Sequence, residues 1–151
     1  MIVGLKLGRR LMAVAALEDE RFVFQDTRFV ASRKSALQSG ITRYFSQVFE
    51  QLKPTAIYYY APTGPNTITE ALVTLLDTQA GQMGIPAKRL SKPDLFDHFG
   101  LLPFRTRREL RDHLQHLWPV LSEGKAHRQL VLAEAAAAAC VGDFRQELPP
   151  V

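Results

Sequence analysis

Apolar positions open the chain in a near-continuous run and later settle into two distinct periods. In MIVGLKLGRRLMAVAALE, Ile2, Val3, Leu5 and Leu7 crowd together as in a strand buried on both faces. Gly8, Arg9 and Arg10 interrupt the run, and residues 11–17 form a second apolar stretch of strand length. Glu18, Asp19 and Glu20 make an acidic turn. Residues 21–30, RFVFQDTRFV, then alternate, with Phe22 and Phe24 on one side and Val23 and Gln25 on the other. The pattern predicts three antiparallel strands joined by short turns.

Beyond residue 35 the period becomes helical. Leu37, Ile41, Phe45, Val48, Phe49 and Leu52 line one face of residues 36–52, with Ser32 to Ser35 as capping candidates and Lys53-Pro54 as the stop. Residues 55–61, TAIYYYA, are β-branched and aromatic and predict a fourth strand, ended by Pro62-Thr63-Gly64-Pro65. Asn66 or Thr67 caps a helix reaching Met83, Gly84 closes it, and residues 85–90 predict a short fifth strand. Ser91 caps a brief helix over residues 94–99. Thr106 and Glu109 have capping-box spacing, and the helix behind them carries Leu110, Leu114, Leu117, Trp118 and Leu121 inward across Pro119. The last helix, residues 126–141, holds five consecutive alanines, Ala135 to Ala139, a surface that can lie very close to a sheet.

Three strands followed by strands that alternate with helices predict an α/β fold. Its sheet is five-stranded and mixed, with right-handed crossovers and helices on both faces. Residues 1–145 read as one domain and residues 146–151 as a loose tail, a size sufficient for a real core. No apolar run approaches the roughly 20 residues that span a bilayer, so no membrane association is expected. Met1 leads directly into a strand, so no secretory leader is expected. The single cysteine, Cys140, has no internal partner and reads as a small core residue, in keeping with a reducing cytoplasm. The net charge of +4 admits nucleic acid as a partner without requiring it.

Candidate chemistry is sparse. Lys6 lies in the middle of a buried opening strand, where an ammonium is costly unless it reaches water or a carboxylate. Arg105, Arg107, Arg108 and Arg111 cluster at a helix N-terminus, where the helix dipole also favours anions, and are candidates for phosphate binding or for a solvated face. Glu70, Asp94 and Asp97 are carboxylates that suit caps and surface positions. His113 and His116 share a helical face, but no third close ligand completes a zinc site. Phosphate-binding glycine loops and nucleophile elbows are absent from the sequence. No cofactor or metal is expected.

The element order and punctuation resemble the ribonuclease H-like fold, in particular its RuvC Holliday-junction resolvase branch. The opening GLKLGRR resembles the family's glycine–apolar–aspartate–proline–glycine strand. Leu52-Lys53-Pro54 with the strand behind it, Gly84-Ile85-Pro86 with Lys92-Pro93, and the closing LAEAAAAAC resemble further family stretches, so the likeness covers nearly the whole chain. RuvC-like nucleases hold two Mg²⁺ ions with four carboxylates. Carried onto this sequence, those positions fall on Lys6, Tyr60, Val131 and Glu134, of which only Glu134 is acidic. The resemblance implies that Lys6 and Glu134 face each other across the former metal site with Tyr60 beside them.

The expected function is therefore a catalytically degenerate RuvC-like domain that binds DNA or RNA, or docks within a nucleic-acid assembly, without cutting. A protein-interaction scaffold that has kept only the fold is one alternative, and a nuclease with a rearranged metal site is the other. A protein partner or a homodimer fits either non-enzymatic reading.

Overall fold

The computed structural model describes residues 1–30, 34–63, 67–99 and 106–147. The elements run β1 (Ile2–Leu7), β2 (Leu11–Glu18), β3 (Arg21–Phe29), α1 (Lys34–Leu52), β4 (Ala56–Tyr60), α2 (Thr67–Gln82), β5 (Ala87–Leu90), α3 (Lys92–Phe96), α4 (Arg107–Leu117), a 3₁₀ turn (Pro119–Ser122) and α5 (Ala126–Glu147). They build a sheet of order β3-β2-β1-β4-β5. β1 pairs antiparallel with β2 and parallel with β4, β2 pairs antiparallel with β3, and β4 pairs parallel with β5. This is the expected five-stranded mixed sheet, with β4 beside β1 and β5 at the far edge.

The period-2 alternation of the strands sorts the core into two layers. Val3, Leu5, Leu7, Met12, Val14, Ile57 and Tyr59 point to the face covered by α1 and α2. Ala13, Ala15 and Tyr60 point to the other face, against α4 and the alanines of α5. Small residues let α5 approach closely. A Cβ added at Gly4 would overlap the Ala135 carbonyl oxygen and the Ala139 amide nitrogen, and one at Gly142 would overlap the Tyr58 ring. The alanine run and Gly4 are thus two halves of one contact.

Asp19 and Glu20 both adopt positive φ, 51° and 63°, as a two-residue hairpin loop between paired Glu18 and Arg21 requires. Several boundaries differ from expectation; β5 begins at Ala87 rather than at residue 85, and α3 ends at Phe96 rather than at residue 99. α4 stops at Leu117 rather than running through Pro119, because proline lacks the N–H that would continue the helix; Pro119 opens the 3₁₀ turn and Leu117 is exposed. α3 begins at Lys92 because Ser91 and Asp94 form a reciprocal capping box. α5 extends to Glu147, so residues 146 and 147 of the expected tail are helical. The capping candidates at 32 and 33 and the Gly64-Pro65-Asn66 stretch lie outside the described residues.

Candidate functional site

The strand register aligns Leu90, Tyr60, Lys6, Ala13 and Thr27 in one row across the sheet. Residues paired this way share a face, and this row meets α5. Lys6 sits near the C-terminal end of β1 and points into the seam between sheet and helix. There its Nζ donates to Glu134 Oε2 at 2.7 Å. The pair is buried, with the two side chains only 7% and 2% exposed. The Lys6 ammonium also stands 4.6 Å from the centroid of the Tyr60 ring, a cation–π contact. Val131, one helical turn before Glu134, is buried in the apolar layer with Tyr60.

Glu134 has a second partner that sequence reasoning missed. Arg107, the first residue of α4, donates from Nε to Glu134 Oε1 at 2.7 Å and from Nη2 to the same oxygen. The Thr106 hydroxyl accepts from the Glu109 N–H at 3.1 Å and so fixes the helix start that aims Arg107 at α5. In sequence Arg107 looks like any arginine of a solvated helix start. Only the packing of α4 on α5 brings it to Glu134, 27 residues away.

Two cations and one carboxylate leave the cluster net positive. Burial holds the Lys6 ammonium pKa below its ordinary value, against the raising influence of Glu134, and Arg107 adds to the lowering. The Tyr60 phenol is pushed up, first by burial and then by the Glu134 charge. A divalent magnesium site needs several oxygen ligands with free lone pairs. Here one carboxylate is present, both of its oxygens already accept from cations, and an ammonium occupies the seam. The residues do not fit a two-metal centre. Among the described residues no three His, Cys, Asp or Glu side chains come together to hold a metal.

The other candidates separate. Arg108 is exposed, Arg111 pairs with Asp112 at 3.0 Å, and Arg105 lies outside the described residues. Glu70 pairs with Arg89 at 3.0 Å, Asp94 caps α3, and Asp97 ends it. The Cys140 thiol is buried and its pKa is pushed up to about 12, mainly by burial, so it is inert as a nucleophile.

No protein-family model and no curated protein sequence matches the chain. Solved structures do. Thermus thermophilus RuvC aligns with a TM-score of 0.78 at 12% identity, covering 96% of this chain and 94% of that one. The same protein in complex with a Holliday junction substrate gives 0.77 at 12% identity, covering 96% and 93%. The yeast mitochondrial Holliday junction resolvase Ydc2 gives 0.61 at 14% identity, covering 96% and 83%. The fold is RuvC-like. The RuvC-like sheet brings the C-terminal ends of β1 and β4 together under α5, which is where Lys6, Tyr60 and Glu134 meet. None of the described helices is long and apolar enough to cross a membrane.

Proposed function

We propose that this chain is a catalytically degenerate RuvC-like domain that binds nucleic acid, or docks within a nucleic-acid assembly, and does not cut it. The observation that carries the reading is the occupation of both Glu134 oxygens by cationic side chains, Lys6 and Arg107. In this reading Lys6, Tyr60, Val131 and Glu134 stand at the former metal-ligand positions. The charge supplied by metal ions in a RuvC-type nuclease is supplied by an ammonium and a guanidinium. Those groups balance a carboxylate but cannot activate a water as a metal ion does. The net positive cluster and the half-exposed Arg107 side chain, 45% accessible, favour an anionic partner such as a phosphate backbone. Exposed Arg108 adds to the same surface. The inert Cys140 fits work in a reducing cytoplasm.

The test is incubation of purified protein with branched DNA, linear DNA and RNA in Mg²⁺ and in Mn²⁺. The expected result is binding at low salt with no cleavage product. Cleavage that Glu134→Ala abolishes would overturn the reading in favour of a rebuilt metal site. Absence of any binding at low salt would overturn it in favour of a scaffold.

A further inference from the structure

The hydrogen-bonding pattern of β3 follows from its end. The Val30 N–H donates to the Arg10 carbonyl at 2.8 Å, so residues 10 and 30 are a hydrogen-bonded pair. Along the Leu11↔Phe29, Met12↔Arg28 register the backbones of Phe24, Asp26 and Arg28 then meet β2. Those of Gln25, Thr27 and Phe29 turn outward, and among the described residues no strand pairs with them. β3 thus presents a row of outward N–H and C=O groups, the feature by which a sheet edge accepts a further strand.

Hollows flank this edge on both faces. On the α1 side a groove of about 680 Å³ is lined by Arg28, Tyr44, Gln47 and Gln51. Asp26 accepts there from the Tyr44 hydroxyl at 2.6 Å, and the Arg28 guanidinium lies 4.4 Å from the Tyr44 ring centroid. On the α5 side a crevice of about 300 Å³ is lined by Gln25, Val120, Arg128 and Leu132. Arg128 donates to the Thr27 hydroxyl at 3.3 Å and lies 5.0 Å from the centroid of the Phe29 ring, which is 66% exposed. In the same crevice the buried Gln25 Oε1 has no hydrogen-bond partner. Both arginines are braced on rings, and among the described residues neither is in an ion pair.

We propose that the β3 edge docks a partner protein through an extended acidic segment, added antiparallel as a sixth strand. The register assigns each position. Opposite Arg28, and opposite Thr27 where Arg128 stands, the segment carries carboxylates, one on each face of the sheet. Opposite Asp26 it carries a hydroxyl, since the aspartate already accepts from Tyr44 and needs only a further donor. Opposite Gln25 it carries an amide that donates to the unpaired oxygen, and opposite Phe29 an aliphatic side chain that covers the ring. A second copy of β3 fits less well, because its Arg128 would be set against this one. Nucleic acid also fits less well: a phosphate suits the guanidiniums but pairs with none of the outward carbonyls and is opposed by Asp26. The proposal is independent of whether the chain binds nucleic acid elsewhere.

The probe is a fluorescein-labelled peptide, Thr-Val-Glu-Glu-Thr-Gln-Val, blocked at both ends, whose glutamates stand opposite Arg28 and Thr27. Fluorescence polarisation with protein at up to about 1 mM covers the weak binding of short strands. Saturable binding is expected, with slowed amide exchange at Gln25, Thr27 and Phe29 by NMR. Thr27→Pro removes an outward N–H that β2 does not use, which an edge strand tolerates, and should weaken the peptide about tenfold or more. Arg28→Glu should weaken it by up to about fivefold, and a peptide with lysine in place of the first glutamate should recover that loss. Circular dichroism checks that both variants are folded; if Thr27→Pro is not, the lysine-for-glutamate exchange decides alone. No saturable binding, unchanged exchange at those amides, a folded Thr27→Pro that binds as wild type does, or an Arg28→Glu that binds the original peptide more tightly than the lysine one would each overturn the proposal. Duplex DNA that protects those amides while the peptide does not would overturn it in favour of nucleic acid. Protection that grows with protein concentration alone would overturn it in favour of a second copy.

Discussion

The Lys6 ammonium stands 2.7 Å from the Glu134 carboxylate although 128 residues of chain separate them. Arg107 holds the carboxylate's other oxygen. A buried carboxylate with one partner would be left partly unsatisfied, whereas with two it is saturated. That saturation lets the alanine face of α5 close onto β1 and β2 without a trapped, unpaired charge.

Removing one member should therefore cost more than removing the set. Glu134→Gln leaves an ammonium in an apolar seam beside a guanidinium, and Lys6→Met leaves half of a buried carboxylate unpaired. Each single change is expected to destabilise the domain by about 3 kcal/mol, the scale for breaking a buried pair. The double variant Lys6→Met/Glu134→Leu should recover most of that loss, because Arg107 can turn to solvent. Urea unfolding of the three variants measures this. Single variants within about 0.5 kcal/mol of wild type, as for an exposed pair, would refute a tightly coupled buried cluster.

Close approach of α5 gives a second expectation. Gly4→Ala puts a methyl group into backbone atoms of Ala135 and Ala139, neither of which can rotate away. The helix must retreat, at a cost of about 3 kcal/mol or more, the upper range for overpacking. Gly142→Ala meets the Tyr58 ring instead, a half-buried side chain that can shift, so its cost should be smaller. Thermal melts of the two variants compare them, and equal losses would argue against backbone contact as the cause.

Much of this architecture was legible in the chain because its punctuation is local. The Gly8-Arg9-Arg10 and Asp19-Glu20 turns, Lys53-Pro54 and Gly84 mark element ends by backbone chemistry alone. Continuous apolarity in β1 marked the strand that pairs on both sides. The meeting of Lys6 with Glu134 was legible only through family resemblance, since nothing in their spacing requires contact. Arg107 was not legible as their partner, because a helix-start arginine facing solvent and one facing a buried glutamate have the same local pattern. The end of α4 was misread because Leu117, Trp118 and Leu121 continue the helical period on either side of Pro119. Proline's missing N–H outweighs that periodicity.

Alkaline pH should unfold the domain through its tyrosines. Burial, then hydrogen bonds to Asp26 and Asp77, raise the pKa of Tyr44 and Tyr59 above the ordinary 10.0, and burial with Glu134 raises that of Tyr60. The folded state thus keeps these protons above pH 10 while the unfolded chain releases them, so stability falls as pH rises there. Lys6 works the other way between its lowered pKa and 10.5, where the unfolded chain holds the extra proton, and stops contributing above that. Urea midpoints should decline steeply above about pH 10.5. Tyr44→Phe, which removes one of the raised phenols, should make that decline shallower. A midpoint flat to pH 12 would contradict the buried, neutral state of these phenols.

Nucleic-acid binding can be separated from the buried cluster by the two arginines that begin α4. Arg108 is exposed, so Arg108→Ala should weaken binding without touching stability. If it neutralises one phosphate, the slope of log K against log salt should flatten by about 0.9 on duplex DNA, equally for all sequences. Arg107 has a second role on Glu134, so Arg107→Ala should weaken binding and lower the unfolding midpoint together. On the function proposed above, Lys6→Asp should not bring about cleavage in Mg²⁺, because that reading sets Tyr60 and Val131 where carboxylates would be needed and the new aspartate faces Glu134 across the seam. It should instead destabilise the fold by placing two carboxylates together with Arg107 as their one cation. Gel-shift titrations over a salt series, unfolding curves and a cleavage assay on the same three variants make the distinction. An unchanged salt slope in Arg108→Ala would remove this surface from the binding site, and cleavage by Lys6→Asp alone would show that the site still assembles a working metal centre.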